Sequence, residues 1–436
     1  MKRSIAQDIM RWRHSKRRKP LIIRGARQVG KTWLVDNVLS KSFDHFVKID
    51  LEKRRDLHIH FEESLEPGAI LNALELVAGR IIPGKTLLFL DEIQACPRAV
   101  MALRYFYEQV PDLHVVTAGS LLEFAFGQIS IPVGRVQYLN MGPMTFYEYL
   151  LALDRDPMAE AVLSDPAKSG KHVSDMILAE LKKYFFTGGM PECVKIWRDT
   201  SSMLEVFQVQ SEILDSFRDD FSKYTPKVDP TCLDAVFLNT AGSVGEQIKY
   251  TRLNHGHTGQ TNRKAFDLLA KARVIQKISS CNAPGIPLGA NANPKKFKAA
   301  MLDIGLLQRL CQVPVEAELR QENLLDIYRG KLAEQFIAQE LWTWQGGPLY
   351  YWSRDARSSN AEVDFLAVHD GAVYPIEVKS GKGGSLRSLH LMLEKYPHCP
   401  EGWVFYSGEY RELPQQKLKF MPLYSLPFFL GSTNRP

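Results

Sequence analysis

The sequence has little that would commit a chain to a membrane or to an oxidising compartment. No apolar run approaches the roughly 18 residues that a membrane-spanning helix needs. The opening "MKRSIAQDIMRWRHSKRRKP" has no apolar stretch of the kind a signal peptide uses, so no secretory leader is expected. The six cysteines are scattered and form no CxxC or CxxH pair, so neither a zinc site nor a disulfide framework is indicated. A reducing, cytoplasmic setting is therefore expected. Charge is not one-sided either. The 55 basic residues against 49 acidic ones leave a net +6, which is compatible with a nucleic-acid partner without requiring one. The cluster "RWRHSKRRK" would either contact phosphates or form a solvated helix face.

What is present is material for two or three hydrophobic cores. The chain has 436 residues, 45% of them hydrophobic. "PLIIRGARQVGKTWLV" contains Gly25, Ala26, Arg27, Gln28, Val29, Gly30, Lys31 and Thr32, which complete a GxxxxGK[ST] pattern. Its context supports it. The apolar run from Leu21 to Ile23 reads as a buried strand, and the residues from Lys31 onward suit a helix. Glycines let such a loop wrap around phosphate, with backbone N–H groups and a helix N-terminus facing the anion. Lys31 would reach the β- and γ-phosphates, and the Thr32 hydroxyl would hold Mg2+.

"KTLLFLDEIQ" supplies a second part of the same site. The apolar strand from Leu87 to Leu90 runs into two acids, Asp91 and Glu92. Asp91 is expected to position Mg2+ and Glu92 to polarise the attacking water. The following strand, "LHVVTAGS", ends in polar residues, so Thr117 or Ser120 would sit beside the γ-phosphate. Arg135, after a proline and a glycine, would stabilise phosphoryl charge in cis, reach a neighbouring subunit, or form a surface ion pair. Strands alternating with helical stretches imply a doubly wound parallel α/β sheet with nucleotide at its C-terminal edge. No NKxD-type guanine reader is present, which favours ATP over GTP.

Residues 154–174 turn polar and contain Pro and Gly, as a loop or short linker would. Helical periodicity follows, with Gly188-Gly189 as a helix stop. From Asp229 to about Ser280 the rhythm is that of a winged helix, in which Asn262, Arg263 and Lys264 would begin the helix that enters a DNA groove.

"AEVDFLAVHDGAVYPIEVKSG" reads as two strands joined at Asp370-Gly371, a strong hairpin signal. A turn there sets Asp364 opposite Glu377 and Glu362 opposite Lys379. Facing carboxylates repel, unless they share a divalent cation, which prefers oxygen ligands. Lys379, on the same face, would orient or activate a water for attack on a phosphodiester. Glu334, on the helical stretch "RGKLAEQFIAQELWTW", is positioned to supply a third acid.

Glu334, then Asp364, then Glu377-x-Lys379 resembles the active-site pattern of the restriction-endonuclease-like superfamily. The whole chain resembles bacterial and archaeal AAA-type ATPases that carry a C-terminal domain of that kind. The resemblance runs through "RGARQVGKTWL", "LLFLDEIQ", "TAGSLLEFAF", "PVGRV", "TGGMPECV", "FRDDFSKY", "MLDIGL", "EVDFLAV" and "PIEVKSG". It implies ATP binding, ATP hydrolysis and a C-terminal domain of nuclease ancestry. The expected architecture is a P-loop ATPase domain over 1–155, a helical and winged-helix middle over 156–300, and a restriction-endonuclease-like α/β domain over 301–436. ATP and Mg2+ are the expected cofactors. DNA, a second copy of the chain or another protein are the candidate partners, and no membrane is expected. The competing reading is a nucleotide-dependent switch or scaffold whose nuclease-like domain binds without cleaving.

Overall fold

The computed structural model describes residues 1–119, 132, 134–222, 228–312, 329–354, 361–379 and 385–431. It divides into two compact units, Lys2–Gly142 and Pro143–Pro436, the latter also taking in Met1.

The first unit is built on strands β1 (Leu21–Arg24), β2 (His45–Asp50), β3 (Thr86–Asp91), β4 (His114–Gly119) and β5 (Gln137–Asn140). Their order is β2-β3-β4-β1-β5, with every neighbour parallel. A parallel sheet is covered on both faces, so its inner strands read as continuous apolar runs rather than alternating ones. β3 and β4 follow that rule, each buried along its whole length. Two helices, Pro67–Ala78 and Pro97–Gln109, cover one face. Each has proline in its first turn, where the missing N–H costs nothing. Ala99, Val100, Leu103 and Phe106 recur at helical spacing and pack with Ile22, Leu88 and Leu90 of the sheet. The basic N-terminal cluster is partly committed to this fold, since Arg13 donates to the Ser42 carbonyl and Arg18 to those of Pro111 and Asp112.

In the second unit a run of helices leads into eight strands: β6 (Ile275–Cys281), β7 (Ala292–Met301), β8 (Leu349–Ser353), β9 (Glu362–His369), β10 (Ala372–Val378), β11 (Gly402–Tyr406), β12 (Arg411–Leu413) and β13 (Leu418–Pro422). They form one mixed sheet, ordered β12-β13-β11-β10-β9-β8-β6-β7. β9 and β10 pair antiparallel from His369↔Ala372 to Phe365↔Ile376, the register that the Asp370-Gly371 turn predicts. Both turn residues have positive φ, 46° and 72°, as a two-residue turn matched to the strand twist requires.

Three sequence expectations meet a different arrangement here. Residues 154–174 are not a plain linker, because Asp156–Leu163 is a helix that buries Ala159 and Val162. Its Pro157 lies in the first turn, where proline starts a helix rather than breaking one. Strands β6 and β7, assigned from sequence to the middle part, belong to the same sheet as the C-terminal strands, with β6 paired to β8. Their hairpin is therefore no free wing. Asn262 is fully buried and donates to the carbonyls of Tyr250 and Asn254, so it braces the helix Gly259–Lys271 and is not available to a DNA groove.

Candidate functional sites

In the first unit the loop after β1 turns back tightly on itself. Gln28 and Gly30 have φ of 63° and 96°. A Cβ on Gly25 would lie 2.3 Å from the Met141 carbonyl oxygen, so only glycine fits there. Lys31 is buried, and its ammonium donates to the carbonyls of Gly25 (3.1 Å) and Ala26 (2.7 Å). Thr32 lies in the helical segment Lys31–Leu34 and its hydroxyl donates to Asp91 Oδ2 at 3.0 Å. The sheet order explains that meeting, because only β4 separates β1 from β3. Burial pushes the Asp91 carboxyl above its ordinary value, with Thr32 opposing. Lys48 of β2 lies 3.9 Å from the same oxygen and 2.7 Å from Asp36. Glu92 follows in a left-handed conformation (φ 47°), and its carboxylate accepts from the Gln94 amide. Backbone strain of this kind costs on the order of 1–3 kcal/mol and concentrates at working sites. Ala26, Arg27 and Val29 complete the loop, with Ala26 and Val29 buried beneath it.

The residues present fit a nucleotide and its Mg2+. A phosphate-cradling loop, a lysine, a hydroxyl and a carboxylate converge at the C-terminal edge of a parallel sheet. Residues 17–150 match the family described as an AAA domain. The first unit is an AAA-type P-loop ATPase domain. Residues 178–317 and 329–426 of the chain match two domains of unknown function, DUF8612 and DUF4143. No curated protein matches the chain. Among solved structures, the Walker-type ATPase PABY2304 of Pyrococcus abyssi is 14% identical, with a TM-score of 0.47 over 71% of this chain and 95% of its own. PCH-2 of C. elegans is 15% identical, with a TM-score of 0.27 over 46% and 62%. The RuvB Holliday junction branch migration motor of Thermotoga maritima is 17% identical, with a TM-score of 0.25 over 64% and 87%. Likeness this distant carries nothing about activity.

Two further residues expected at the ATPase site, Thr117 and Arg135, make no hydrogen bond to that group among the described residues. Thr117 is buried in the middle of β4, paired with Ile22, and Ser120 lies outside the described residues. Arg135 is half exposed and donates to Glu108 Oε1 at 2.8 Å, an oxygen it shares with Arg104. That is the surface ion pair weighed above. So exposed a pair is screened by solvent, and the contact would not hold the arginine against a stronger anion.

In the second unit the hairpin acids sit among lysines. Asp364 Oδ2 accepts from the Val378 amide at 2.9 Å, across the hairpin. Its Oδ1 lies 3.4 Å from the ammonium of Lys298, on β7. The same ammonium is 2.5 Å from Glu362 Oε1 and 3.4 Å from Glu334 Oε2, the latter on the helix Arg329–Gln345. Glu377 pairs instead with Lys379, at 2.6 Å. The facing carboxylates of Asp364 and Glu377 are thus neutralised by two different lysines.

Burial works to discharge Lys298, but Glu334, Asp364 and Glu362 outweigh it and hold the ammonium well above its ordinary pKa. Burial, and then Asp364, push Glu334 up to about 8 and Glu377 up to about 7. Glu377 Oε2 is buried without a hydrogen-bond partner among the described residues. A single such oxygen does not make a cation site. Among the described residues no group of three or more His, Cys, Asp or Glu side chains is arranged to hold a metal ion. The side chains around Asp364 therefore do not fit a divalent cation as they stand.

Glu334, Asp364, Glu377 and Lys379 lie in one cluster, with Lys298 between the first two and Lys379 paired to Glu377. Lys298 was missed. Its signal is a lone lysine in the apolar run "FKAAM", a placement that demands acids nearby.

Proposed function

We propose that the chain hydrolyses ATP in its first unit and uses nucleotide state to control what its second unit binds, without cutting a phosphodiester. The observation that carries the hydrolytic half is the 3.0 Å contact between the Thr32 hydroxyl and Asp91. These are the two groups required to hold Mg2+, which when bound neutralises phosphate charge. In this reading Lys31 exchanges its loop carbonyls for phosphate oxygens. Glu92 accepts a proton from the attacking water as the new P–O bond forms and the bond to the leaving diphosphate breaks. The ligand of the second unit would be DNA or a protein, and a neighbouring copy of the chain would be the recipient of Arg135.

Binding is favoured over cleavage by the Lys298 ammonium, which takes up the acids that a nuclease would turn toward its metal. The residue types of a restriction-endonuclease-like site are present, and the oxygens are already committed. Purified protein should release phosphate from ATP in the presence of Mg2+, and Lys31→Ala should reduce that rate by about a hundredfold or more, since phosphate positioning and charge stabilisation both pass through it. Single-stranded, duplex and branched DNA should stay intact with Mg2+ or Mn2+, with and without ATP. Cleavage that Asp364→Ala removes would overturn the non-cleaving half, and an inert ATPase site would overturn the other.

A further inference from the structure

We infer that Lys298 is the resident cation of the second unit's acidic cluster, doing the electrostatic work that a divalent metal does in a cluster of this composition. This rests on the non-cleaving reading and gives it a chemical reason.

Three observations support the assignment. The Lys298 side chain is only 3% exposed, and its ammonium reaches Glu334, Glu362 and Asp364, which come from two separate elements. A lysine does not enter such a place without acids to meet it. The acids are committed as well. Asp364 gives its second oxygen to the Val378 amide, and Glu362 gives its second to the Gln247 side-chain amide at 3.0 Å. A divalent cation asks for about six oxygens around one point, whereas only three carboxylate oxygens converge here, on the Lys298 ammonium, and the second oxygens of Asp364 and Glu362 are taken by amides. Finally, the lysine is held along its length. It leaves β7 between Phe297 and Ala299, both buried, and its ammonium lies 5.4 Å from the Tyr351 ring of β8. Gly245 presses close to the same cluster, since a Cβ on it would lie 3.4 Å from the Glu334 carboxylate. One ammonium therefore ties together strand β7, the helix carrying Glu334 and strand β9.

If the lysine stands in for a metal, removing its charge should create a metal site. Lys298→Met keeps the apolar stem and leaves the three carboxylates facing an empty position. The test uses the whole chain, free of nucleotide, titrated with manganese chloride and followed by the Mn2+ electron paramagnetic resonance signal and by thermal unfolding. Wild type and Asp364→Asn should give superimposable titrations. Lys298→Met should bind one additional Mn2+, lose it again in the double variant with Asp364→Asn, and unfold at a higher temperature with Mn2+ than without. Lys298→Arg should behave as wild type, which a purely steric role for the lysine would not produce.

Mn2+ bound by wild type and absent from Asp364→Asn would overturn the assignment. So would a folded Lys298→Met indifferent to Mn2+. Should Lys298→Met fail to fold, the comparison of wild type with Asp364→Asn decides alone. Mn2+ binding by wild type without DNA cleavage would sink this inference and leave the proposed function standing. Binding with cleavage would sink both, and loss of ATPase activity bears only on the first unit.

Discussion

Asp303 serves four donors at once in the second unit. It is fully buried, and it accepts from the backbone N–H groups of Gly189 (2.6 Å), Gly305 (3.0 Å) and Leu306 (3.1 Å) and from the Gln339 amide (3.4 Å). It caps the helix Ile304–Leu310 and fastens the Gly188-Gly189 turn to it. A Cβ on Gly188 would lie 2.1 Å from its carboxylate, which accounts for glycine there. Asp303→Asn would turn an amide donor against these donors, at a cost of about 2–4 kcal/mol in the second unit. The pH dependence has a definite sign. Burial, opposed by the four donors, pushes the folded-state pKa up to about 6 from 3.8. The folded state then binds the proton more tightly than the unfolded one, so this contribution is full below about 3.8 and is lost as pH rises through about 6. Asparagine has no such term. The stability gap between wild type and Asp303→Asn should therefore narrow as pH rises across that window, read from denaturant midpoints at each pH. A widening gap would mean that Asp303 is ionised throughout in the folded state, and a constant gap that folding leaves its pKa unchanged; either would overturn the prediction.

At the scale of elements, the β9–β10 hairpin tests how far a turn sets what its strands present. Gly371 has φ of 72°, and a Cβ placed there meets nothing within 4 Å. The cost of Gly371→Val is therefore one of backbone conformation alone, about 1–2 kcal/mol or somewhat more for a β-branched residue. Gly371→Ala should cost about 1 kcal/mol and Asp370→Asn almost nothing, measured by urea unfolding. Equal effects of the valine and alanine variants would show that the turn relaxes to another conformation. The hairpin was legible in the sequence because its turn residues are local and a two-residue turn allows one register. β1, β3 and the phosphate loop were legible for a similar reason, as unbroken apolar runs beside a motif. Residues 154–174 misled because proline and glycine mark helix starts as readily as linkers. Lys298 was out of reach for a deeper reason. Its meeting with Glu362 and Asp364 depends on the order β9-β8-β6-β7, set by long-range pairing that no local pattern announces. The same pairing carries β6 and β7 into the C-terminal sheet.

At the scale of the whole molecule, the two units have separate sheets and separate charge problems, and the nucleotide site described above lies in the first. A ligand that binds one folded unit stabilises it by RT ln(1 + [L]/Kd), about 2.7 kcal/mol at a hundredfold excess over Kd. Scanning calorimetry of the whole chain should show an unfolding transition that rises with Mg2+ and a slowly hydrolysed ATP analogue. Lys31→Ala should abolish the rise. The transition of the second unit can be identified without any nucleotide, as the one that Asp303→Asn lowers. If nucleotide state controls the second unit, its transition must move as well, because no ligand shifts an equilibrium with which it has no differential interaction. A shift of both transitions, each lost in Lys31→Ala, is the outcome that control by nucleotide requires. A shift confined to the first unit would leave an ATPase and an acidic lysine-locked domain on one chain with no free energy passing between them.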